Sequence, residues 1–335
     1  MCIGRRHEEI ALLHRSEVIA ALSFALDLTE GQPQGHSIRA CIIGIHLARE
    51  IGLPKEDLRD LYYALLLKDA GCSANASKMA SLLGSDDIAA KRHVKTTDWA
   101  RVCRESVAYA LAHVRPGAPF LTRMQALFSI ALHEKRNSRM MIQVRCERGA
   151  AIARRIGFSE RTASAIHSLD EHWDGAGHPQ GLRGREIPLF SRIMNLAQTA
   201  EVFHNQSGAD AALSVVQQRK RRWFDPELVR AYQSLARQQE FWEDVQHAED
   251  RVLLFAPTDD MVALDEATMD SICLAFADVI DAKSPFTYRH SSGVNAPHAV
   301  DSDVVEALRF SLRKAGEQLS IGNTYLDGKT AVETC

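Results

Sequence analysis

The side chains best suited to chemistry lie in residues 168–188, a polar and glycine-dense segment between two apolar periodic segments. Glycine lets the backbone take positive φ and approach a ligand or a neighbouring helix closely. Aromatic, imidazole and guanidinium groups are interspersed with these glycines. The segment therefore predicts a ligand-binding loop. Its candidate residues are Trp173, Asp174, Gly175, Gly177, His178 and Arg183.

A second group of polar residues follows an apolar helical pattern. Residues 56–70 predict a helix whose apolar stripe, continued by three or four residues, reaches Lys68 and Asp69. A lysine beside an aspartate at a buried position predicts an ion pair. His36, at the start of an earlier predicted helix, is expected to pair with Asp69 or to cap backbone groups.

These two segments resemble the HD-GYP family of metal-dependent phosphohydrolases, which includes cyclic-di-GMP phosphodiesterases. The turn Asp174-Gly175-Ala176-Gly177-His178-Pro179 is similar to the family's DG-x-G-Y-P signature, and residues 65–72 look like the segment that holds its adjacent histidine and aspartate. The resemblance implies an all-α, HD-type helical bundle. It also implies a binuclear metal site and phosphodiester hydrolysis.

The metal ligands that the resemblance implies are mostly replaced. His36 and Asp69 are retained as remnants, and Asp170 is the one replacement able to bind metal. Other residue types stand at the remaining ligand positions, namely Lys68, Arg145, Leu169 and Gln198. Two-metal hydrolysis needs imidazole and carboxylate ligands, and two buried cations would repel a divalent ion. No catalytic residue is predicted beyond the remnant positions Lys68 and Asp69.

These replacements predict a non-catalytic regulatory or scaffolding module without a cofactor. Two alternatives stay open. One is a metal-dependent phosphodiesterase with an atypical iron, manganese or zinc site, and the other is a nucleotide sensor without turnover. A mononuclear zinc site is also conceivable at His167 and Glu171, which are four residues apart, although hydrogen-bonded surface roles are the favoured interpretation.

Composition and charge exclude several classes of protein. The apolar fraction is 46%, the charged fraction is 25%, and the net charge of -3 gives no general attraction to nucleic acid or anionic membranes. The basic run at residues 219–222 is expected to be a solvated helix end. Seven cysteines without a C-x-x-C spacing favour a reducing cytoplasm, and no apolar run is long enough to span a bilayer. We expect a cytoplasmic protein with a protein partner or a homodimer, and a cyclic dinucleotide as an alternative ligand.

Helical periodicity dominates the chain, and the one strand-like run, at residues 251–256, is short enough to be a buried linker or a helix end. Helix starts are predicted after Ser159 and at Asp225-Pro226. The expected organisation is an N-terminal extension (1–15), a degenerate HD-GYP-like domain (16–240), a linker (241–264) and a truncated second HD-like segment (265–335).

Overall fold

A computed structural model describes residues 14–29, 32–72, 139–257 and 266–281. Helices make up most of these ranges, and an isolated β-bridge joins Lys220 and Phe224. In chain order the helices are α1 (Arg15–Thr29), α2 (His36–Glu50), α3 (Lys55–Leu66), α4 (139–155), α5 (Glu160–His167), α6 (Leu189–Gln218), α7 (Pro226–Leu235), α8 (Gln239–Gln246), α9 (Ala248–Arg251) and α10 (Glu266–Asp281). The predicted all-α class is confirmed.

Helix α2 lies at the centre of the bundle. It packs against α1, α3, α6, α7 and α8, and most of its residues are buried because neighbours cover it on several sides. Leucine, isoleucine and tyrosine side chains of these helices form one hydrophobic core. Burial of a side chain of that size stabilises the fold by about 1.5–3 kcal/mol. The first residue of α2 is His36, so this core surrounds a polar residue of the candidate site.

Helix α3 ends four residues earlier than the apolar stripe predicts. It stops at Leu66, and residues 67–71 form a turn that carries Lys68 and Asp69. A Cβ atom at Gly71 would lie 2.0 Å from the carbonyl oxygen of Arg145 in α4, so the turn touches the backbone of that helix. The helix ends early because this close backbone contact replaces another helical turn.

The predicted helix starts at α5 and α7 are confirmed by their caps. Ser159 Oγ accepts a hydrogen bond from the backbone N–H of Thr162 at 3.1 Å. Asp225 Oδ1 accepts one from Glu227 N–H at 2.8 Å, and Pro226 is the first helical residue. These caps fix the two ends of the segment that contains the glycine-dense loop.

The first part of the predicted linker is helical instead. Phe241, Val245 and Ala248 belong to the bundle core, because helices α8 and α9 pack against α2. The run at residues 251–256 is not a strand but agrees with the helix-end alternative, since Val252–Phe255 form a 3-10 helix. Residues 1–13 and 282–335, and with them most of the predicted second HD-like segment, lie outside the described residues.

Helix α10 lies at the start of that predicted segment. Its residues Ile272, Cys273 and Ala275 join the same hydrophobic core as α2. No helix in the described ranges combines the length and the apolar character that crossing a bilayer requires.

Candidate functional site

Lys68 and Asp69 stand where the family resemblance places an adjacent histidine and aspartate, and we call this place the HD position. It holds a buried network of charged side chains. Lys68 Nζ contacts Asp69 Oδ2, as the sequence predicted, and both side chains are at most 1% exposed. The same carboxylate oxygen lies 3.7 Å from His36 Nε2. The thiol of Cys72 donates to Asp69 Oδ1 at 3.4 Å. Lys68, Asp69 and His36 are therefore brought together, with both oxygens of Asp69 in contact with protein groups.

Glu201 of α6 is a member of this network that sequence reasoning missed. Its carboxylate contacts His36 Nδ1 through one oxygen and accepts from Arg39 Nε at 2.7 Å through the other. Gln198, the position that the family resemblance indicated, lies one helical turn earlier and is only half-buried. The available signal was a glutamate directly after Ala200 on the apolar stripe of α6, where a charged residue needs a buried partner.

Asp27 of α1 is connected to the network through Ser37. It accepts the Ser37 hydroxyl at 2.7 Å and the Ser37 backbone N–H at 3.1 and 3.2 Å. Lys68 Nζ donates to the same hydroxyl at 3.3 Å. One ammonium thus connects the two carboxylates, directly at Asp69 and through a serine at Asp27.

The pKa values of Glu201 and Asp27 are shifted in opposite directions. Burial alone would raise the pKa of Glu201, but His36 and Arg39 outweigh burial, so its pKa lies below the ordinary value. The pKa of Asp27 is raised because burial exceeds the opposing effects of Lys68, His36 and the Ser37 hydrogen bond. Glu201 is therefore the better stabilised anion of the two.

We expect Glu201 to contribute to acid unfolding. Because its folded pKa lies below the ordinary 4.5, its stabilisation is present above pH 4.5 and is lost as pH falls through the folded pKa. Asp27 acts oppositely, since its raised pKa favours the folded state at lower pH. Urea unfolding between about pH 3 and 5 should show a steeper loss of stability in the native protein than in Glu201→Gln. Equal slopes would contradict this assignment.

The donor atoms of this centre do not fit the binuclear metal site that the family resemblance implies. Asp69 Oδ2 contacts Lys68, and the imidazole of His36 contacts Glu201 and faces Asp69. Among the described residues, no group of three or more histidine, cysteine, aspartate or glutamate side chains is arranged to hold a metal ion. An ammonium in contact with Asp69 also opposes a divalent cation.

Asp170 is occupied by an ion pair and is not a free ligand. Arg145 Nη2 contacts its Oδ2, and the Cys146 thiol lies 3.7 Å from the same oxygen. Although burial lowers the pKa of Arg145, Asp170 together with Cys72, Cys146 and Asp69 raises it well above the ordinary value. The guanidinium therefore stays charged between the HD position and the loop. Leu169, at another expected ligand position, is a core residue that is 1% exposed.

Glu171 organises the glycine-dense loop. Its carboxylate is 2% exposed and accepts backbone N–H groups from Gln180 at 2.6 Å, Gly181 at 3.1 Å and Leu182 at 3.0 Å. Its own carbonyl accepts from Asn195 Nδ2 of α6 at 2.9 Å. The zinc hypothesis for His167 and Glu171 is wrong, because both carboxylate oxygens hold the loop backbone.

Two close backbone contacts fold the loop against its own start. A Cβ atom on Gly177 would lie 2.2 Å from the backbone nitrogen of His172, so only glycine fits there. The N–H of His178 donates to the carbonyl of Asp170 at 3.0 Å, and the following peptide bond to Pro179 is cis. The predicted close backbone approach is thus made to the loop itself.

The remaining candidate loop residues differ in exposure. Asp174 is exposed and accepts the Ala176 N–H at 3.0 Å, which forms a local turn. Trp173 is half-buried and has the guanidinium of Arg192 5.8 Å from its ring centroid, consistent with a packing role. Arg183 is exposed. Burial, aided by Arg139, lowers the pKa of His178, against the opposing effect of Glu171 and Asp170.

The basic run behind the loop is not a fully solvated helix end. Arg219 is 4% exposed, and its guanidinium lies 4.0 Å from the ring centroid of Trp223. Trp223 in turn stacks on His172 at 4.2 Å between ring centroids. The loop therefore rests on a partly buried stack of one guanidinium and two aromatic rings, which fixes its position on the bundle.

Comparison with known proteins identifies relatives that match nearly the whole chain. A family model described as "HD domain" matches residues 126–228. The chain is 37% identical over 326 residues to the Vibrio cholerae protein named 3'3'-cGAMP-specific phosphodiesterase 3, covering 93% of this chain and 70% of that protein. A crystal structure of a cyclic GMP-AMP specific phosphodiesterase from V. cholerae matches with a TM-score of 0.68 and 33% identity, over 91% of this chain and 71% of the other.

A more distant relative belongs to the same group. The Xanthomonas campestris protein named cyclic di-GMP phosphodiesterase response regulator RpfG is 28% identical over 221 residues, which span 64% of this chain and 46% of RpfG. The predicted non-catalytic regulatory or scaffolding module is contradicted by these findings, because these relatives are named as phosphodiesterases.

Three observations point to one family: the helical bundle, the glycine-dense loop at residues 168–188 (the signature loop) and the near-complete match with a relative. The HD position lies at the end of α3, and the loop that follows α5 is folded onto it through Arg145 and Asp170. The 37% identity extends over 93% of the chain, well beyond these two motifs. The chain belongs to the HD-domain phosphohydrolase family.

Proposed function

We propose that this protein hydrolyses a phosphodiester bond of a cyclic dinucleotide, with 3′3′-cGAMP as the first candidate substrate and cyclic-di-GMP as the second. The observation that carries the proposal is the 37% identity, over 93% of the chain, with a protein named as a 3'3'-cGAMP-specific phosphodiesterase. RpfG, named as a cyclic di-GMP phosphodiesterase, supports the same class of substrate.

The signature loop is the proposed substrate-binding element. Glu171 holds its backbone, and the stacked rings beneath it fix its position. Arg183 presents an exposed guanidinium, which matches the charge and the bidentate geometry of a phosphate group. The loop therefore has a rigid base and one cationic side chain suited to a dinucleotide phosphate.

The charged network at the HD position has a different role in this proposal. Its donor groups do not fit a binuclear metal, so no hydrolytic step is derived there. Lys68, Asp69 and His36 hold the end of α3 and the start of α2 together, and so position the elements that carry the loop.

A turnover assay tests the proposal directly. The full chain is incubated with Mn²⁺ and 3′3′-cGAMP, and the linear dinucleotide is measured by liquid chromatography and mass spectrometry. We expect linear product to accumulate in proportion to protein concentration. Calorimetric titration is run in parallel, and binding without product, or neither binding nor product, would contradict the proposal.

Replacement of Arg183 by alanine tests the assigned loop. Loss of a charge-assisted hydrogen bond to phosphate should raise KM about tenfold with kcat little changed. Arg154→Ala is the matched control, because Arg154 is an exposed arginine of α4 that pairs with Glu160. An unchanged KM in Arg183→Ala would remove this residue from the substrate site.

A further inference from the structure

The ammonium of Lys68 lies where the groups of the HD position converge. It contacts Asp69 Oδ2, the oxygen that also faces His36 Nε2 at 3.7 Å. The side chain is fully buried, which is unusual for lysine because removing an ammonium from water is costly. Its neighbours are therefore the same imidazole and carboxylate groups that would otherwise ligate a cation.

The surrounding charges match a cation at this point. Asp69 is in direct contact, and Asp27 is reached through the Ser37 hydroxyl, which lies 3.3 Å from Lys68 Nζ and 2.7 Å from Asp27 Oδ1. Glu201, the third carboxylate, is bound to His36 and Arg39. Without the ammonium, Asp69 would lose its contacting cation and Asp27 the cation that reaches it through Ser37, at a large desolvation cost.

We propose that Lys68 is a built-in cation that takes the place of a divalent metal ion in this bundle. The lysine supplies, through a covalent tether, the positive charge that holds Asp69, Asp27 and His36 together. The described bundle therefore assembles without metal at the HD position. This inference is independent of the proposed hydrolysis, because it concerns only the side chains packed around Lys68.

Substitution of Lys68 by histidine is the direct test. Lys68→His removes the ammonium and adds an imidazole donor beside His36 and Asp69, whereas Lys68→Gln removes the charge and adds no imidazole. Each full-length protein is loaded with Zn²⁺ or Mn²⁺, desalted and measured by inductively coupled plasma mass spectrometry. We expect Lys68→His to bind about one more ion per chain than the native protein or Lys68→Gln, as a new site with nitrogen and carboxylate ligands should.

Two further comparisons make the result decisive. Adding Asp69→Asn to Lys68→His should abolish the extra ion, and Asp69→Asn alone should leave the metal content of the native protein unchanged. A folded Lys68→His protein that gains no ion would overturn the proposal, as would a native ion that is lost in Asp69→Asn. If Lys68→His does not fold, the native and Asp69→Asn comparison decides alone. The readout is the number of bound metal ions, so the result does not depend on whether the protein hydrolyses a cyclic dinucleotide.

Discussion

Replacing Lys68 by methionine is expected to destabilise the bundle by about 3 to 5 kcal/mol, because a buried carboxylate then loses its contacting cation. Methionine has a similar length and packs in the same space, so the loss is mainly electrostatic. Asp69 loses its contact with the ammonium, and Asp27 loses the largest of the interactions that oppose its desolvation. Urea and thermal unfolding at pH 7 should show a fall in Tm of roughly 10 °C.

Two controls separate the lost charge from a general effect of substitution. Lys55→Met, at the exposed first residue of α3, should change stability by no more than about 0.5 kcal/mol. The double variant Lys68→Met/Asp69→Asn removes both members of the ion pair and should recover part of the loss. Equal stability of Lys68→Met and Lys55→Met would show that the ammonium contributes little.

Much of this fold was predictable because its signals are local. The caps at Ser159 and Asp225 and the helical periodicity of α2 depend on neighbouring residues, and the structure agrees with each. The end of α3 was not predictable in this way. It is set by the contact of Gly71 with the backbone of α4, more than 70 residues later in the sequence.

The same distinction applies to the candidate site. The Lys68–Asp69 pair was predictable because the residues are adjacent, but Glu201 is 165 residues from His36 and meets it only through the packing of α6 on α2. Glu171 was considered as a metal ligand, and nothing in the local spacing indicated that three backbone N–H groups would surround it. Long-range partners of charged residues are set by tertiary packing, which periodicity does not encode.

The functional prediction was wrong for a related reason. It counted the ligands expected at one centre and treated Lys68 and Arg145 as evidence against catalysis in the whole chain. Among the described residues, the donors at that centre are not arranged to hold a metal. Similarity over 93% of the chain, however, concerns the protein beyond that centre. A local ligand count therefore describes the chemistry of one site and not the activity of the protein.

Replacing Glu171 by glutamine is expected to destabilise the protein by about 2 to 3 kcal/mol and to loosen the signature loop, since a charged acceptor of several hydrogen bonds is lost. Both carboxylate oxygens accept backbone N–H groups. Oε1 accepts from Gln180 and Gly181, and Oε2 accepts from Gly181 and Leu182. A glutamine amide has only one acceptor oxygen, so its NH₂ group must face a backbone donor.

Hydrogen exchange should locate the change. The amides of Gln180, Gly181 and Leu182 are expected to lose protection in Glu171→Gln, while those of α2 keep protection relative to the global stability. Glu186→Gln is the matched control, because Glu186 is exposed and accepts one loop N–H, from Arg183 at 3.0 Å. Glu186→Gln should lower the free energy of unfolding by only about 0.5 kcal/mol. If the loop amides exchange at the same rate in the native protein and in Glu171→Gln, the carboxylate does not hold the loop, and the substrate site assigned to it loses its rigid base.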